Sequence, residues 1–332
     1  MRESLIHRLC CPSCRGGLSW TVDAEEEGRI LRARAECEAC GRAYPVSNGI
    51  AVFLESEAGE EDLWQRSESR LAGFLSDHPD AERELMEPPL SGLGPADLFL
   101  RAMVHEERGE SAKASEAREM AMPDMYTEDY HQCLESQTDY VLERASGDGD
   151  FVVDLASGMG ALVERLAMAG VGHVVSTDIS PLALLRSRRR MERLGLAEGM
   201  SFLALDARSM PFMDGAVETM TSLLGLANVQ HPKGLVEELR RVVSGRLMAV
   251  HHFYPRVEDG NTALLREHGL DTLLLEGSFM DLMREAGWEV LLANRCSGKA
   301  DPTPPSRVIE GARFDALPAE PTVLKWATVV AM

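Results

Sequence analysis

The stretch from Phe151 to Gly160 constrains the fold of this chain most strongly. Its first half is almost continuously apolar, as expected for a parallel strand that is buried on both faces. A turn containing Gly158 and Gly160 follows, and from Ala161 onward the apolar residues recur at helical spacing. Glycines let the backbone approach a ligand, and the N–H groups at the start of a helix attract a polar or anionic group. The stretch therefore predicts a strand, a loop and a helix that bind a nucleotide.

Two later strand predictions each end in a carboxylate. The segment that starts at His173 ends at Asp178, and the segment that starts at Met200 ends at Asp206. A carboxylate at the end of the second strand can accept hydrogen bonds from ribose hydroxyls, and ligands bind at the carboxyl ends of such strands. The alternation of strands and helices predicts an α/β fold. A glycine loop alone would equally suit NAD or FAD.

Four cysteines near the start of the chain form two C-x-x-C pairs: Cys11, Cys14, Cys37 and Cys40. This spacing is typical of a tetrahedral structural zinc site. Cys10 is interpreted as a non-ligand, because Cys11 has the correct spacing to Cys14. The total of seven cysteines is odd, which favours metal binding in a reducing compartment over a disulfide framework.

The formal net charge is −20. Such a surface repels nucleic acid unless a local basic face overrides it, so we expect a small molecule, a peptide or a protein as partner. No segment is apolar enough over the length needed to span a membrane, and residues 1–8 lack the apolar stretch of a secretory signal. We therefore expect a cytoplasmic location and no membrane partner.

Composition divides the chain into three predicted parts. Residues 1–55 form the zinc ribbon, residues 56–122 an acidic helical connector, and residues 123–332 the catalytic domain. Proline-rich and glycine-rich turns break the connector into short helices. Its acidic faces are either simply solvated or a surface for a protein partner.

The ribbon carries a first family resemblance. The segment Tyr44-Pro45-Val46, followed by Gly49-Ile50, resembles the tail of the small zinc-ribbon domain that accompanies methyltransferases, as a separate activator subunit or fused to them. Ala51 replaces the usual proline. In ribosomal RNA guanine methyltransferases a related ribbon helps to hold RNA. This ribbon has as many acidic residues as arginines, whereas a surface that grips phosphate should be basic.

The patterns VVDLASGMG, STDIS and LALDARSMPFMDGAVETM carry a second resemblance, to Rossmann-like S-adenosylmethionine-dependent methyltransferases, from about Tyr126 onward. It implies a seven-stranded, mostly parallel sheet and S-adenosylmethionine as cofactor. It also implies the cofactor-binding residues, which are Asp154, Ala156, Gly158 and Gly160 near the methionine moiety, Asp178 and Ile179 at the ribose, and Asp206 and Ala207 at the adenine. Ala156 stands where the family usually has glycine.

The same resemblance implies where the methyl acceptor binds. The segment before the first strand lies over the active site in many methyltransferases, so the candidate substrate-binding residues are Tyr126, Tyr130, His131 and Asn228. Candidate catalytic residues are His251 and His252 at the end of the fifth strand, together with Tyr130. An imidazole there can accept a proton near neutral pH, or it can merely pack at the strand end. Positioning alone supplies most of the rate when the acceptor is already nucleophilic.

We therefore predict an S-adenosylmethionine-dependent methyltransferase that also binds structural Zn²⁺. Its acceptor is an O or N atom of a small molecule or peptide. Two alternatives stay open. One is an RNA base methyltransferase that uses the ribbon to hold RNA, and the other is a non-catalytic, cofactor-binding activator subunit.

Overall fold

The computed structural model describes the backbone of residues 1–54, 63–145 and 151–332, and their side chains except those of residues 63–69. The predicted boundary between ribbon and connector, at residues 55 and 56, lies outside the described residues. None of the described helices has the length and apolar character needed to cross a bilayer.

Strands and helices occur in the following order. The strands are β1 (Leu18–Glu26), β2 (Arg29–Cys37), β3 (Ala43–Ser47), β4 (Ile50–Phe53), β5 (Val152–Asp154), β6 (Val174–Asp178), β7 (Met200–Leu205), β8 (Val217–Leu223), β9 (Val243–Phe253), β10 (Val290–Ala300) and β11 (Thr322–Ala331). The helices are α1 (Leu63–Asp77), α2 (Pro79–Met86), α3 (Pro95–Glu107), α4 (Ser111–Met125), α5 (Glu128–Ala145), α6 (Ala161–Met168), α7 (Pro181–Arg193), α8 (Pro232–Val242), α9 (Gly260–Glu267), α10 (Asp271–Leu274) and α11 (Glu276–Glu285).

All described strands belong to one sheet. Their order is β1-β2-β3-β4-β7-β6-β5-β8-β9-β11-β10. The predicted α/β fold is confirmed, but the predicted seven-stranded, mostly parallel sheet is wrong, because the observed sheet has eleven strands. Five of its neighbouring pairs are parallel and five are antiparallel. The difference arises because β4 of the ribbon pairs in parallel with β7, from Ile50 opposite Phe202 to Phe53 opposite Leu205.

The ribbon also shares an apolar core with the central strands. Leu5, Leu9 and Phe53 are buried in the same cluster as Phe212 and Val329. The main chain reinforces this contact, because Cys10 N donates to Pro211 O at 2.8 Å and Met213 N donates to Arg8 O at 3.0 Å. Burial of these side chains on both sides of one junction makes the ribbon an extension of the sheet rather than an appended module.

The opposite face of the sheet is covered by helices that follow the strands. A second apolar cluster there includes Val141 of α5, Leu162 of α6, Leu184 of α7 and Trp326 of β11. α7 begins after Ser180, whose hydroxyl accepts a hydrogen bond from Ala183 N at 3.2 Å. This cap satisfies one of the free N–H groups at the helix start and fixes where α7 leaves the sheet.

The connector helices α1–α4 form a smaller apolar cluster that includes Leu85, Leu98, Phe99 and Met125. Their main polar link to the rest of the chain is the buried Asp97, which accepts hydrogen bonds from Ser306 Oγ and from the main-chain N–H groups of Arg307 and Val308. The connector therefore packs chiefly on itself and touches the remainder through a few side chains.

Candidate functional site

The loop after β5 is held between the two neighbouring strands. Leu155 N donates to Thr221 O, and Ser157 N donates to Thr177 O, both at 2.8 Å. Within the loop, Ala156, Gly158 and Gly160 have φ angles of +52°, +52° and +83°. Such left-handed backbone suits glycine but strains alanine by about 1–2 kcal/mol. The loop therefore stores strain at Ala156, the position where the resembled family has glycine.

A cavity of about 270 Å³ opens between this loop and the ends of β6, β7 and β8. It lies at the carboxyl ends of the parallel strands, where ligands of α/β sheets bind. Seven residues predicted from the sequence line it: Ala156, Gly158, Asp178, Ile179, Asp206, Ala207 and Asn228. Leucines from the strand ends and the neighbouring loop, Leu155, Leu205, Leu223 and Leu224, complete its apolar part.

Asp178 is the best-positioned carboxylate of the cavity. Its Oδ2 accepts a hydrogen bond from Gly158 N at 2.8 Å, and its Oδ1 accepts one from Ser180 N at 2.9 Å. These bonds orient the carboxylate across the glycine loop. Each carboxylate oxygen has two lone pairs, so Asp178 retains capacity to accept further hydrogen bonds from a ligand.

Asp206, on the other side of the cavity, is paired with a residue that the sequence prediction did not include. Arg208 Nη2 lies 2.7 Å from Asp206 Oδ2, and Arg208 N donates to Asp206 Oδ1 at 2.8 Å. Arg208 also lines the cavity. Arg208 lies two residues after Asp206, and this spacing was the sequence feature that could have identified it. The turn after β7 brings the two side chains together.

Two of the predicted cofactor-binding residues do not line the cavity. Asp154 is buried beneath the loop, where its Oδ1 accepts a hydrogen bond from Thr221 Oγ1 at 2.8 Å. Burial, together with the nearby charge of Asp178, raises the pKa of Asp154 to about 7. Gly160 instead faces α7, where a Cβ at this position would collide with Ser187 Oγ. Glycine at position 160 is therefore required by the packing of α6 against α7.

The two candidate catalytic histidines lie on opposite faces of β9, since successive side chains of a strand alternate. His251 is buried, packs against Phe279, and has Nε2 within 2.8 Å of Leu273 O. Burial lowers the pKa of His251 to about 4. Its imidazole is enclosed by α10 and α11 and does not line the cavity, so a catalytic role of His251 stays an untested prediction.

His252 lies on the other face, among aromatic side chains. Its ring centroid is 5.0 Å from that of Trp326 and 6.4 Å from that of Tyr130. Tyr126 and Tyr130 are stacked at 4.4 Å, so the structure brings three of the predicted acceptor-side residues together. Burial, followed by the nearby charge of His251, lowers the pKa of His252 to about 3, so this imidazole is neutral near pH 7.

His131 is placed differently. Its ring meets Tyr126 and Tyr130 edge-on at 6.0 and 6.3 Å. It also lines a separate surface groove of about 740 Å³, with Glu135, Asp139 and Asn294. His131 therefore lies behind the stacked tyrosines and outside the cavity that Asp178 lines.

The four predicted metal ligands converge in the ribbon. The Sγ atoms of Cys11, Cys14, Cys37 and Cys40 all lie within 4.8 Å of one another. Ligands at a Zn–S distance of about 2.3 Å in a tetrahedron lie about 3.8 Å apart, so this cluster fits zinc. Cys10 is turned away, with its Sγ donating to Phe212 O at 3.3 Å, as expected for a non-ligand.

The ribbon reaches the wall of the cavity. Ser209 Oγ donates to Pro12 O, within the first cysteine pair, at 2.9 Å. Arg15 Nη1 donates to Met210 O at 2.8 Å, and Glu238 accepts from both Met210 N and Arg15 Nη2. The first cysteine pair, which would form a knuckle around zinc, is thus bonded to the segment that directly follows Asp206.

Two protein-family models match this chain. Residues 152–245 match the family described as a methyltransferase domain, and residues 2–49 match the family of Trm112p-like proteins.

Curated relatives resemble the methyltransferase region. The chain is 32% identical over 112 residues to the ubiquinone/menaquinone biosynthesis C-methyltransferase UbiE of Roseobacter denitrificans, a match that covers 33% of this chain and 41% of the relative. The UbiE protein of Pseudomonas syringae pv. syringae is 32% identical over 117 residues, covering 35% of this chain and 42% of that protein. The chain thus spans less than half the length of these relatives.

Solved structures align with a larger part of this chain, at lower sequence identity. The YcgJ protein of Bacillus subtilis aligns with a TM-score of 0.48 at 15% identity, over 59% of this chain and 97% of that one. A chain in a complex of the Haloferax volcanii Trm112 methyltransferase activator aligns with a TM-score of 0.42 at 21% identity, over 60% and 91%. Two parts of this chain are therefore each similar to a known family: residues 152–245 to a methyltransferase domain, and residues 2–49, which hold the four clustered cysteines, to Trm112p-like proteins.

Proposed function

We propose that this chain is an S-adenosylmethionine-dependent methyltransferase that transfers a methyl group to an O or N atom of a small molecule or peptide. The observation that carries this proposal is the cavity at the ends of β5 to β8, lined by Asp178 on one side and Asp206 on the other. When bound, S-adenosylmethionine supplies an electrophilic methyl group on a sulfonium sulfur.

The residues around the cavity fit such a cofactor. Asp178 would accept hydrogen bonds from the ribose hydroxyls, since its carboxylate is already fixed by two main-chain N–H groups. Asp206 and Ala207 would meet the adenine side. Asp154 has a buried Oδ2 without a partner among the described residues, which leaves an acceptor beneath the glycine loop near the expected methionine moiety.

The loop after β5 and the loop after β8 pack closely against each other at the cavity, which supports a binding site that is already formed before the cofactor binds. A Cβ at Gly225 would come within 2.7 Å of Ala156 Cβ and 2.8 Å of Ala156 O. The loop after β8 therefore touches the loop after β5 only because residue 225 is glycine. A cofactor held against these two loops would need little rearrangement of the main chain on binding.

On the acceptor side, His252 is the remaining candidate of the two strand-end histidines. As a neutral imidazole with a lowered pKa it is a hydrogen-bond acceptor rather than a strong base. We infer that the chain accelerates transfer mainly by positioning the acceptor, with His252 and Tyr130 forming part of the wall.

The Trm112p-like domain suggests a role within the same chain. Its strand β4 is already paired with β7, so the ribbon would support its own methyltransferase domain instead of a separate catalytic subunit. Because the main chain of the zinc knuckle accepts a hydrogen bond from Ser209, bound zinc would also stabilise the cavity wall beyond Asp206.

The experiment compares two aspartate variants of the full chain by calorimetric titration with S-adenosylhomocysteine, the demethylated product. We expect Asp178→Ala to weaken binding about 100-fold or more, because two charge-assisted hydrogen bonds at about 1.5–3 kcal/mol each are lost. Asp301→Ala, at an exposed aspartate, is the matched control and should bind like the unaltered protein. If Asp178→Ala binds with unchanged affinity, the assignment of the cavity is wrong.

A second arm separates catalysis from binding alone. The protein is incubated with methyl-labelled S-adenosylmethionine and mixtures of small amines, alcohols, peptides or RNA. Transfer of label to a small molecule or peptide would support the proposal. Transfer only to RNA would favour the RNA alternative, and binding without transfer to any of these classes would favour the non-catalytic alternative.

A further inference from the structure

Five aromatic side chains meet where β9 ends and β11 begins. This aromatic cluster consists of Tyr126, Tyr130, His252, Tyr254 and Trp326. The ring centroids of Tyr130 and Trp326 lie 4.9 Å apart in an edge-to-face arrangement, and those of His252 and Tyr254 lie 5.9 Å apart. Two members come from the start of α5 and its preceding residues, two come from strands β9 and β11, and Tyr254 directly follows β9.

Among the residues that the structure describes, one carboxylate, that of Asp315, faces this cluster. Asp315 Oδ2 accepts a hydrogen bond from Tyr126 Oη at 2.7 Å. Burial raises the pKa of Asp315, and the charge of Asp315 in turn raises the pKa of Tyr126, Tyr130 and Tyr254 beyond what their own burial does. All three phenols therefore lie close enough to this carboxylate to feel its charge.

Asp315 has no positive partner in the part of the chain that the structure describes. Its only side-chain hydrogen bond there comes from Tyr126, and no lysine, arginine or histidine forms an ion pair with it. His252 is neutral near pH 7 and cannot supply the charge. Asp315 is only partly exposed to water, and a carboxylate in such a place without a cation favours a positively charged ligand over a neutral one.

Polar atoms inside the cluster are also unpaired. Trp326 Nε1 and His252 Nδ1 are both buried and have no hydrogen-bond partner among the described residues. Trp326 is itself only 1% exposed. Buried indole N–H groups usually find an acceptor, so these two atoms are free to meet polar groups of a ligand.

The aromatic cluster lies next to the cofactor cavity. Leu223 lines that cavity and is paired with Val250 of β9. His252 is two residues further along β9, on the same face as Val250, and it is paired with Trp326 of β11. The cluster therefore begins one strand away from the cavity, at the carboxyl edge of the sheet.

We propose that the aromatic cluster and Asp315 form the acceptor site and that this site binds an amine, whose nitrogen becomes the methylated atom. Aromatic rings attract a cation over their faces by roughly 0.5–2 kcal/mol each, and Asp315 supplies the opposite charge. The part of this inference that concerns methyl transfer rests on the proposed function, whereas cation binding by the cluster does not.

The chemistry of N-methylation explains why such a site is useful. An amine that arrives as its ammonium ion first loses one proton to water. The lone pair of the unprotonated nitrogen then forms the new N–C bond while the S–C bond of the sulfonium breaks and its electrons stay on sulfur. Positive charge therefore moves from sulfur to nitrogen as the bond forms. Asp315 and the aromatic cluster stabilise that developing charge, which lowers the barrier without a proton transfer to the protein.

The rings of the cluster contact one another, so a bound amine has to separate two groups of side chains. Tyr126 and Tyr130 belong to the segment from the end of α4 into α5, whereas His252 and Trp326 are fixed in the sheet. Binding of an amine within the cluster therefore requires Tyr126 and Tyr130 to move away from the strand ends.

The test uses choline and its uncharged isostere 3,3-dimethylbutan-1-ol, which have the same shape. Each is titrated calorimetrically into the full chain saturated with S-adenosylhomocysteine, and into the chain alone. We expect choline to bind at least tenfold more tightly than the alcohol. Asp315→Asn should remove this preference, while the exposed control Asp301→Asn should retain it. Equal affinity of the unaltered protein for the two compounds would overturn the proposal.

A pair of ring variants guards against simple misfolding. Tyr130→Phe keeps the ring and should retain most choline binding, whereas Tyr130→Leu should lose at least tenfold. Thermal unfolding of both variants checks that the fold is intact. If choline binds but S-adenosylhomocysteine does not, the cation site is supported and the proposed methyltransferase function is rejected. If S-adenosylhomocysteine binds but choline does not, only the cation site is rejected.

Discussion

The ribbon (residues 1–54) and the connector helices α1–α4 both precede the central strands, but they join the molecule in different ways. The ribbon is joined by a parallel strand pair, β4 with β7, and by main-chain hydrogen bonds such as Cys10 N to Pro211 O. The connector is joined by side chains, chiefly the hydrogen bonds of Asp97 and the ion pair of Arg186 with Glu106, at 3.1 Å.

This difference indicates which region is part of the cooperative fold. Buried ribbon residues such as Leu9 and Phe53 share one core with Phe212, so loss of the ribbon exposes apolar surface of the central sheet. Buried connector residues such as Leu98 and Phe99 belong to a separate cluster. We expect damage to the ribbon to spread to the cofactor cavity and damage to the connector to remain local.

The largest effect is expected from Cys37→Ser. Loss of one thiolate should release zinc and unfold the ribbon, with destabilisation on the order of 5 kcal/mol or more, because structural zinc contributes directly to folding free energy. Binding of S-adenosylhomocysteine should weaken as well, since the zinc knuckle contacts Ser209. Metal analysis and thermal unfolding provide the measurements. Cys10→Ser is the control, because Cys10 bonds to Phe212 O outside the cysteine cluster and should leave the zinc content unchanged. An undiminished zinc content in Cys37→Ser would refute the metal site.

The matching change in the connector is Asp97→Ala. It leaves the buried hydroxyl of Ser306 and the main-chain N–H of Arg307 without their acceptor, whereas Val308 N keeps its hydrogen bond to Ser306 Oγ. We therefore expect a loss of about 3 kcal/mol in the free energy of unfolding. Zinc content and affinity for S-adenosylhomocysteine should not change. Denaturant unfolding measures the stability, with the exposed Asp124→Ala as control. A large fall in the affinity of Asp97→Ala for S-adenosylhomocysteine would show that damage to the connector does not remain local.

Acidification should weaken the ribbon junction in particular. His173 Nε2 lies 2.9 Å from Ser201 Oγ, which also accepts a hydrogen bond from Arg2 N. Burial lowers the pKa of His173 to about 4, below the ordinary value of 6.5. The unfolded chain therefore binds this proton first as the pH falls, and stability is lost between about pH 6.5 and pH 4.

The size of this effect follows from the same linkage. Between pH 7 and pH 5 the loss should be about 2 kcal/mol. His173→Gln, which keeps a polar side chain but does not titrate, should remove about 2 kcal/mol of the dependence of unfolding free energy on pH in this window, while the part due to the buried His251 and His252 remains. An unaltered pH profile for His173→Gln would show that this histidine is not the group responsible.

The smallest effect is expected in the loop after β5, which belongs to neither region. Ala156 has a φ of +52°, so Ala156→Gly should stabilise the protein by about 0.5–1 kcal/mol through relief of strain. Ala169→Gly is the control. Ala169 has a φ of −75°, which does not strain alanine, so this substitution should only destabilise the protein. Thermal unfolding distinguishes the two, and a lower melting temperature for Ala156→Gly would contradict the assigned strain.

The proposed cofactor side of the site follows from the local sequence pattern, whereas the proposed acceptor side depends on long-range packing. The loop after β5, Asp178 and Asp206 each lie directly after a strand, so their common position follows from the α/β pattern alone. Asp315 and Trp326 are remote in sequence from Tyr126 and Tyr130. Only the antiparallel pairing of β11 with β9 and the packing of α5 bring them together.

Two further features depended on long-range packing. The alternation of a strand predicts that His251 and His252 point to opposite faces, but not which face is covered by α10 and α11. The cysteine spacing predicted the zinc ligands, whereas the pairing of β4 with β7 joins residues about 150 positions apart and has no local signal. This pairing is why the sheet has more strands than predicted.

The most direct measurement is calorimetric titration of the full chain with S-adenosylhomocysteine, with NAD titrated under the same conditions. Both compounds carry an adenosine, so they differ mainly in what lies beyond the ribose, at the loop after β5. We expect micromolar binding of S-adenosylhomocysteine at one site and no binding of NAD. Binding of NAD, or of neither compound, would contradict the assignment of this cavity to S-adenosylmethionine.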